Sequence, residues 1–245
     1  MLRACLPFEE IILTDNSPTH VNPLHPATFD FLRQLRQNNT REWFQANRRS
    51  YESVKAGMDG LIGDLIRRIG EFENLTGVEV KNCNYRIARD VRFTTDKSPY
   101  KTWLSASFSE GGRKANRMDY YLHLQPDGES FLGGGMYAPT PEHLARYRQE
   151  VDYNADALKA IIHAPEFVAQ FGEAEGTALK TAPKGYAKDH PEIELLRRTQ
   201  LFFWHRFTDI EVIAADFPEH VTARCRVLKP FLDFMNVLLF EDTSA

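Results

Sequence analysis

The spacing of apolar residues changes period along this chain, and each change marks a new element. From Thr28, Phe31, Leu32 and Leu35 share one helical face, with Thr28 as the cap and Asn38–Asn39 as the stop. Asn39 and Glu42 then have capping-box spacing. Behind them Trp43, Phe44, Asn47, Tyr51, Val54, Met58, Leu61, Leu65 and Ile69 recur every three or four positions, which predicts one long helix. Gly57, Gly60 and Gly63 lie inside it at about 1 kcal/mol each relative to alanine, a cost that close packing against a neighbour would offset.

From Cys83 the period falls to two. Tyr85, Ile87, Arg89, Val91 and Phe93 alternate with Arg86, Ala88, Asp90 and Arg92, which predicts a strand with one mainly apolar and one charged face. "TTDKSPY" has turn chemistry and "TWLSASF" reads as the returning strand. "MDYYLHLQ" turns through "PDG" into "SFLGGGMYAP", a second antiparallel pair. Helical spacing returns after Pro139. Thr140 caps a helix with Pro141 at its first position, and Asn154 and Pro165 begin short helices. Asp189 with Pro191 opens another, and "LFFWHRF" reads as a strand covering the sheet. Asp216, Pro218 and Glu219 start a terminal helix striped by Val221, Cys225, Leu228, Leu232, Met235 and Leu239, with a kink expected at Pro230. Helices, then strands, then helices predict an α+β fold: a central antiparallel β-meander packed by N-terminal and C-terminal helices. Residues 1–27, broken by "NSPTHVNPLHP", read as an N-terminal arm and linker, and 28–245 as a single domain.

Composition narrows the class. With 245 residues, 42% of them hydrophobic, the chain can bury a sizeable core. Cys5, Cys83 and Cys225 are odd in number and far apart, so no disulfide framework is expected and a reducing cytoplasm fits. No apolar run approaches the roughly 18 residues that span a bilayer, so no membrane partner is expected.

The net charge of -4 argues against a cationic coat, so any basic site must be local. "RIARDVRFTTDKSPYK" is such a place. Between Arg86 and Lys101 it holds five cations and two anions, +3, so the rest of the chain carries -7. On a strand, Arg86, Asp90 and Arg92 would share one face, where neighbours two apart are about 7 Å from each other and unit charges interact by roughly 2 kcal/mol at an effective dielectric of 20. Asp90 can thus offset one arginine, but not both arginines and the nearby lysines. Arginine forks and lysines converging on a phosphate or carboxylate are one reading, and internal ion pairs or a solvated face are the others. The candidate ligand contacts are Arg86, Arg89, Arg92, Lys97, Tyr100 and Lys101, with Tyr137 as a further wall. Asp90 and Asp96 are candidate acid or base groups, against a structural role pairing with arginine or lysine. "LKTAPKGYAKDHP" offers Lys184 and His190 as contacts from a late loop.

"GGG" at Gly133–Gly135 lacks the GxxxxGK[ST] pattern and reads as a bulge or the close approach of another backbone. HExxH, GxSxG and SxxK are all missing, and nothing in the chain supports a metal site. The partner expected is an anionic small molecule, with nucleic acid as a weaker variant.

"FLRQLRQNNTREWFQANRRSYE", "RIARDVRFTTDKSPYK", "YYLHLQPDG", "GGGMYAPTPEHLARYR" and "LKTAPKGYAKDHPE" together resemble an uncharacterised bacterial and fungal family, domain of unknown function 2461. The resemblance runs from about Phe29 to the terminal helix. It carries the family pattern onto Asn39, Trp43 and Phe44, the charged residues and Tyr100 of the 86–101 segment, and Lys184 and His190. "TWLS" after Lys101 departs from the more glycine-containing stretch expected there. The resemblance implies an α+β domain and supplies no established activity, cofactor or substrate.

Overall fold

The computed structural model describes residues 24–241. Most of the expected N-terminal arm, with Cys5, lies outside them. Helix α1 (Ala27–Gln37) starts one residue before Thr28, because the His25 imidazole accepts the Ala27 N–H and Thr28 is itself buried. Helix α2 (Arg41–Ala46) is capped by Thr40, whose hydroxyl accepts the Trp43 N–H at 3.2 Å, and not by Asn39. The expected long helix is also divided. Asn47 leaves helical geometry between α2 and α3 (Arg48–Ile69), and its side-chain amide bonds back to the Trp43 carbonyl. The apolar stripe continues through the break, with Val54, Met58, Leu61, Leu65 and Ile69 all buried.

A short helix, α4 (Val80–Cys83), occupies the start of the expected first strand. The rest of that strand reduces to two isolated antiparallel bridges, Asn84 with Ala106 and Ala88 with Tyr100. Side chains take backbone partners that a ladder would have used: Asp90 accepts the Arg92 N–H, and Lys97 donates to the Val91 carbonyl. The remaining strands form where alternation predicts them. They are β1 (Leu104–Phe108), β2 (Tyr120–Leu124), β3 (Ser130–Met136) and, much later, β4 (Leu201–Phe207). They pair antiparallel in the order β1-β2-β3-β4. The 84–88 segment lies along the outer edge of β1, and Glu175 bridges Phe202 on the outer edge of β4.

Helix α5 (Pro141–Ile162) is capped by Thr140 and runs past a single non-helical residue, Asn154, where a new helix is expected. Helices α6 (Pro165–Phe171), α7 (Ile193–Leu196) and α8 (Asp209–Ile213) are short. The terminal helix α9 (Phe217–Phe240) runs on through Pro230 and buries its whole stripe. It crosses the face of the sheet that carries Leu132, Gly134 and Phe203. A Cβ on Gly134 would meet the Leu232 side chain at 3.0 Å, and Phe231 packs edge-on against Phe203 at 5.0 Å. The glycine run lets β4 in. A Cβ on Gly133 would sit 2.4 Å from the Phe203 carbonyl oxygen, and one on Gly135, at φ +134°, 2.6 Å from that of Leu201.

Candidate functional site

The cations of the 86–101 segment divide into two groups. Arg92 forks onto Asp90 at 2.6 and 2.9 Å, and Arg89 pairs with Asp96 while also donating to the Ser98 carbonyl. Lys97 donates 2.9 Å to the Val91 carbonyl. These three belong to the internal network of the loop. Arg86 and Lys101 do not: among the described residues neither makes a side-chain hydrogen bond or an ion pair.

Tyr85 gathers the unpaired charge. Lys101 Nζ lies 5.3 Å and the Arg113 guanidinium 5.8 Å from the centre of its ring. Arg113 comes from the 3₁₀ turn Gly112–Lys114 after β1 and donates to the Lys81 carbonyl, with no carboxylate partner among the described residues. Burial, reinforced by the positive charge of Arg86, pulls the Lys101 pKa below the ordinary lysine value. Arg86, Arg113 and Tyr85 line one side of a cavity of about 450 Å³ that Tyr51 and Met58 of α3 close from the other. Asp59 also lines it, but is engaged by Lys55 and by the Asn84 amide. A cavity of about 490 Å³ between α1 and α3 has only His25 and Asp30 as ionisable lining groups, so it lacks this cationic character.

A further carboxyl group, Asp119, acts on Tyr85 through its charge. Asp119 precedes β2, and burial pushes its pKa up to about 6, a rise that the neighbouring Ser107 hydroxyl partly opposes. The Ser107 hydroxyl is in turn 3.1 Å from the Tyr85 hydroxyl. Asp90 and Asp96 have the opposite character. Asp90 is held below the usual carboxylate range by Arg92, and Asp96 far below it by Ser98 and then Arg89. Of the three carboxyl groups, Asp119 is thus the one whose pKa is raised toward neutrality.

Tyr100 is a structural contact: its ring stacks on Phe44 at 3.9 Å and its backbone is held by Asn39. Lys184 is exposed in the late loop. His190 is built into that loop, its Nδ1 accepting the Glu192 N–H and its Nε2 facing Asp152 on α5 at 3.0 Å. Tyr137 is 67% exposed beside Phe202 on β4. The loop leads back along the β4 edge, through a bridge between Ala178 and Arg198, whereas the 86–101 segment lies on the β1 edge. The structure brings Arg86 and Lys101 together with Arg113, and leaves Tyr137, Lys184 and His190 on the far side of the sheet.

The sheet face opposite α9 carries a row of half-buried rings. Trp103 stacks on His123 at 5.5 Å, His123 on Phe131 at 4.7 Å, and Phe131 meets Trp204 at 5.2 Å. Register explains the row, since His123 faces Phe131 and the Gly133–Trp204 pair follows. Arg206 lies over Trp204 at 5.3 Å, and Tyr85 meets Tyr121 edge-on at 6.0 Å.

The model of the conserved hypothetical protein family DUF2461 matches residues 27–234, from the start of α1 into α9. The chain belongs to this family. No curated protein and no solved structure matches it. The family match spans the Arg86–Lys101–Arg113 cluster, Asp119 and the ring row alike. Among the described residues no helix is long and apolar enough to cross a membrane.

Proposed function

We propose that this DUF2461 member binds a phosphate-bearing or carboxylate small molecule at Arg86, Lys101 and Arg113, in the cytoplasm. One observation carries the reading: Lys101 and Arg113 both lie at the Tyr85 ring, the charge of Arg86 bears on the partly desolvated Lys101, and among the described residues none of the three makes an ion pair. An arriving anion would relieve that repulsion, and the arginine can offer it a fork. Buried free thiols at Cys83 and Cys225 accord with a reducing compartment. The test is calorimetric titration at low salt with inorganic phosphate, pyrophosphate and citrate. Binding by wild type that falls about tenfold or more in Arg86→Ala and Lys101→Ala, and stays within about twofold in Arg92→Ala, supports the site. Equal loss in Arg92→Ala, or no binding by wild type, overturns it.

A second reading is favoured by Asp119. A carboxyl group whose pKa is raised to about 6, near the Ser107 hydroxyl that meets the tyrosine beside the cations, suits an enzyme that moves a proton on its bound anion. Asp119→Asn would then retain anion affinity and lose turnover.

A further inference from the structure

The unpaired cations and the ring row adjoin. Lys101 acts on both: it sits over Tyr85, and its charge helps burial hold the His123 imidazole neutral. Two residues along the chain, Trp103 is the terminal ring of the row. Its one ring contact among the described residues is His123, so its other face has no aromatic partner. The indole is held on one side by its stack on His123, whose Nδ1 in turn lies 3.4 Å from the Tyr121 hydroxyl. A half-buried indole with a ring stacked on one side only, two residues from a lysine without an ion pair, is complementary to a ligand that joins a negative charge to a flat ring.

We propose that the ligand is a nucleotide, its phosphate held by Arg86 and Lys101 and its base stacked on the face of Trp103 turned away from His123, extending the row Trp103–His123–Phe131–Trp204. This rests on the anion site proposed above and adds the identity of the group attached to the anion. Stacking is tolerant of base identity because every base offers a π-face, so adenine and uracil nucleotides both bind, adenine more tightly. Lys101 serves both halves, and its loss weakens phosphate and nucleotide alike.

The experiment compares inorganic phosphate, ribose 5-phosphate and AMP on the full chain by calorimetry, with tryptophan fluorescence in parallel. AMP is expected to bind roughly 5- to 150-fold more tightly than ribose 5-phosphate, the range that base–aromatic stacking spans. Trp103→Leu is expected to remove that preference and leave ribose 5-phosphate binding unchanged, while Trp103→Phe keeps most of it. Should Trp103→Leu fail to fold, nuclear magnetic resonance of the wild type decides: AMP, but not ribose 5-phosphate, is expected to shift the Trp103 indole protons upfield. Equal binding of AMP and ribose 5-phosphate would overturn the nucleotide assignment and spare the anion site. A preference that survives in folded Trp103→Leu, or an unmoved indole, would do the same. Failure of all three compounds to bind would overturn both.

Discussion

Asn39 grips the backbone of Tyr100 from both sides. Its Oδ1 accepts the Tyr100 N–H at 3.1 Å and its Nδ2 donates to the Tyr100 carbonyl at 2.9 Å, across 61 residues of sequence. The junction between α1 and α2 thereby fixes the return limb of the cationic segment, one residue before Lys101. Asn39→Ala leaves two partly buried backbone groups without partners and is expected to cost about 2 kcal/mol. Chemical denaturation measures the loss, and hydrogen exchange should show the Lys101 amide opening faster than amides within β2.

Asp96 organises the tip of the same segment, accepting the Ser98 N–H at 2.9 Å and hydroxyl at 2.6 Å while holding Arg89. Its lowered pKa means that the ionised form is favoured in the fold. The contribution is therefore present above the ordinary aspartate value near 4 and is lost only as pH falls well below it. Asp96→Ala should speed chymotrypsin cleavage after Phe93, which is 92% exposed, and barely move the global denaturation midpoint.

Asp119 carries the opposite sign. With its pKa raised from 3.8 to about 6, the folded chain binds this proton more tightly than the unfolded chain does. Stability from this group is full below pH 4 and declines as pH rises toward 6, by about 3 kcal/mol in all. Asp119→Asn is expected to flatten that part of the stability–pH curve and to be more stable than wild type at pH 7.5, as read by urea unfolding across pH.

Two glycine substitutions should differ in sign. A Cβ on Gly63 in α3 would meet Val80 at 3.8 Å, an ordinary contact, so Gly63→Ala is expected to stabilise by about 1 kcal/mol. On Gly135 the added carbon would strike the β4 backbone in a conformation that alanine resists, so Gly135→Ala is expected to cost several times that, about 3 kcal/mol or more. Thermal melting of both variants checks the pair.

What was legible in the chain follows from how local each cause is. β1 to β4 and the stripe of α9 show in the alternation and the three-to-four spacing because burial on one face writes those periods directly. The 83–93 strand misleads since its alternation is real but its polar side chains bind the nearby backbone themselves. Asn39 looks like a cap, and only the fold shows that Thr40 fills that role and frees it for Tyr100. Asp90 offsetting a single arginine was readable from charge and distance alone. Arg113 and Asp119 were not, for they join Tyr85 through turns and a strand register. The ring row needs β4, some seventy residues past β3, before Trp204 can meet Phe131.

Both rims of the sheet are dressed in the chain's own backbone. Tyr85 donates its N–H to the Ser105 carbonyl on one side, and Glu175 donates to the Phe202 carbonyl on the other. A foreign peptide that would extend the sheet as an extra strand must first peel one of these segments away, and the same wrapping guards against edge-to-edge aggregation. Strand addition at Ser105 or Phe202 therefore has to compete with a segment of the same chain that is already bonded there.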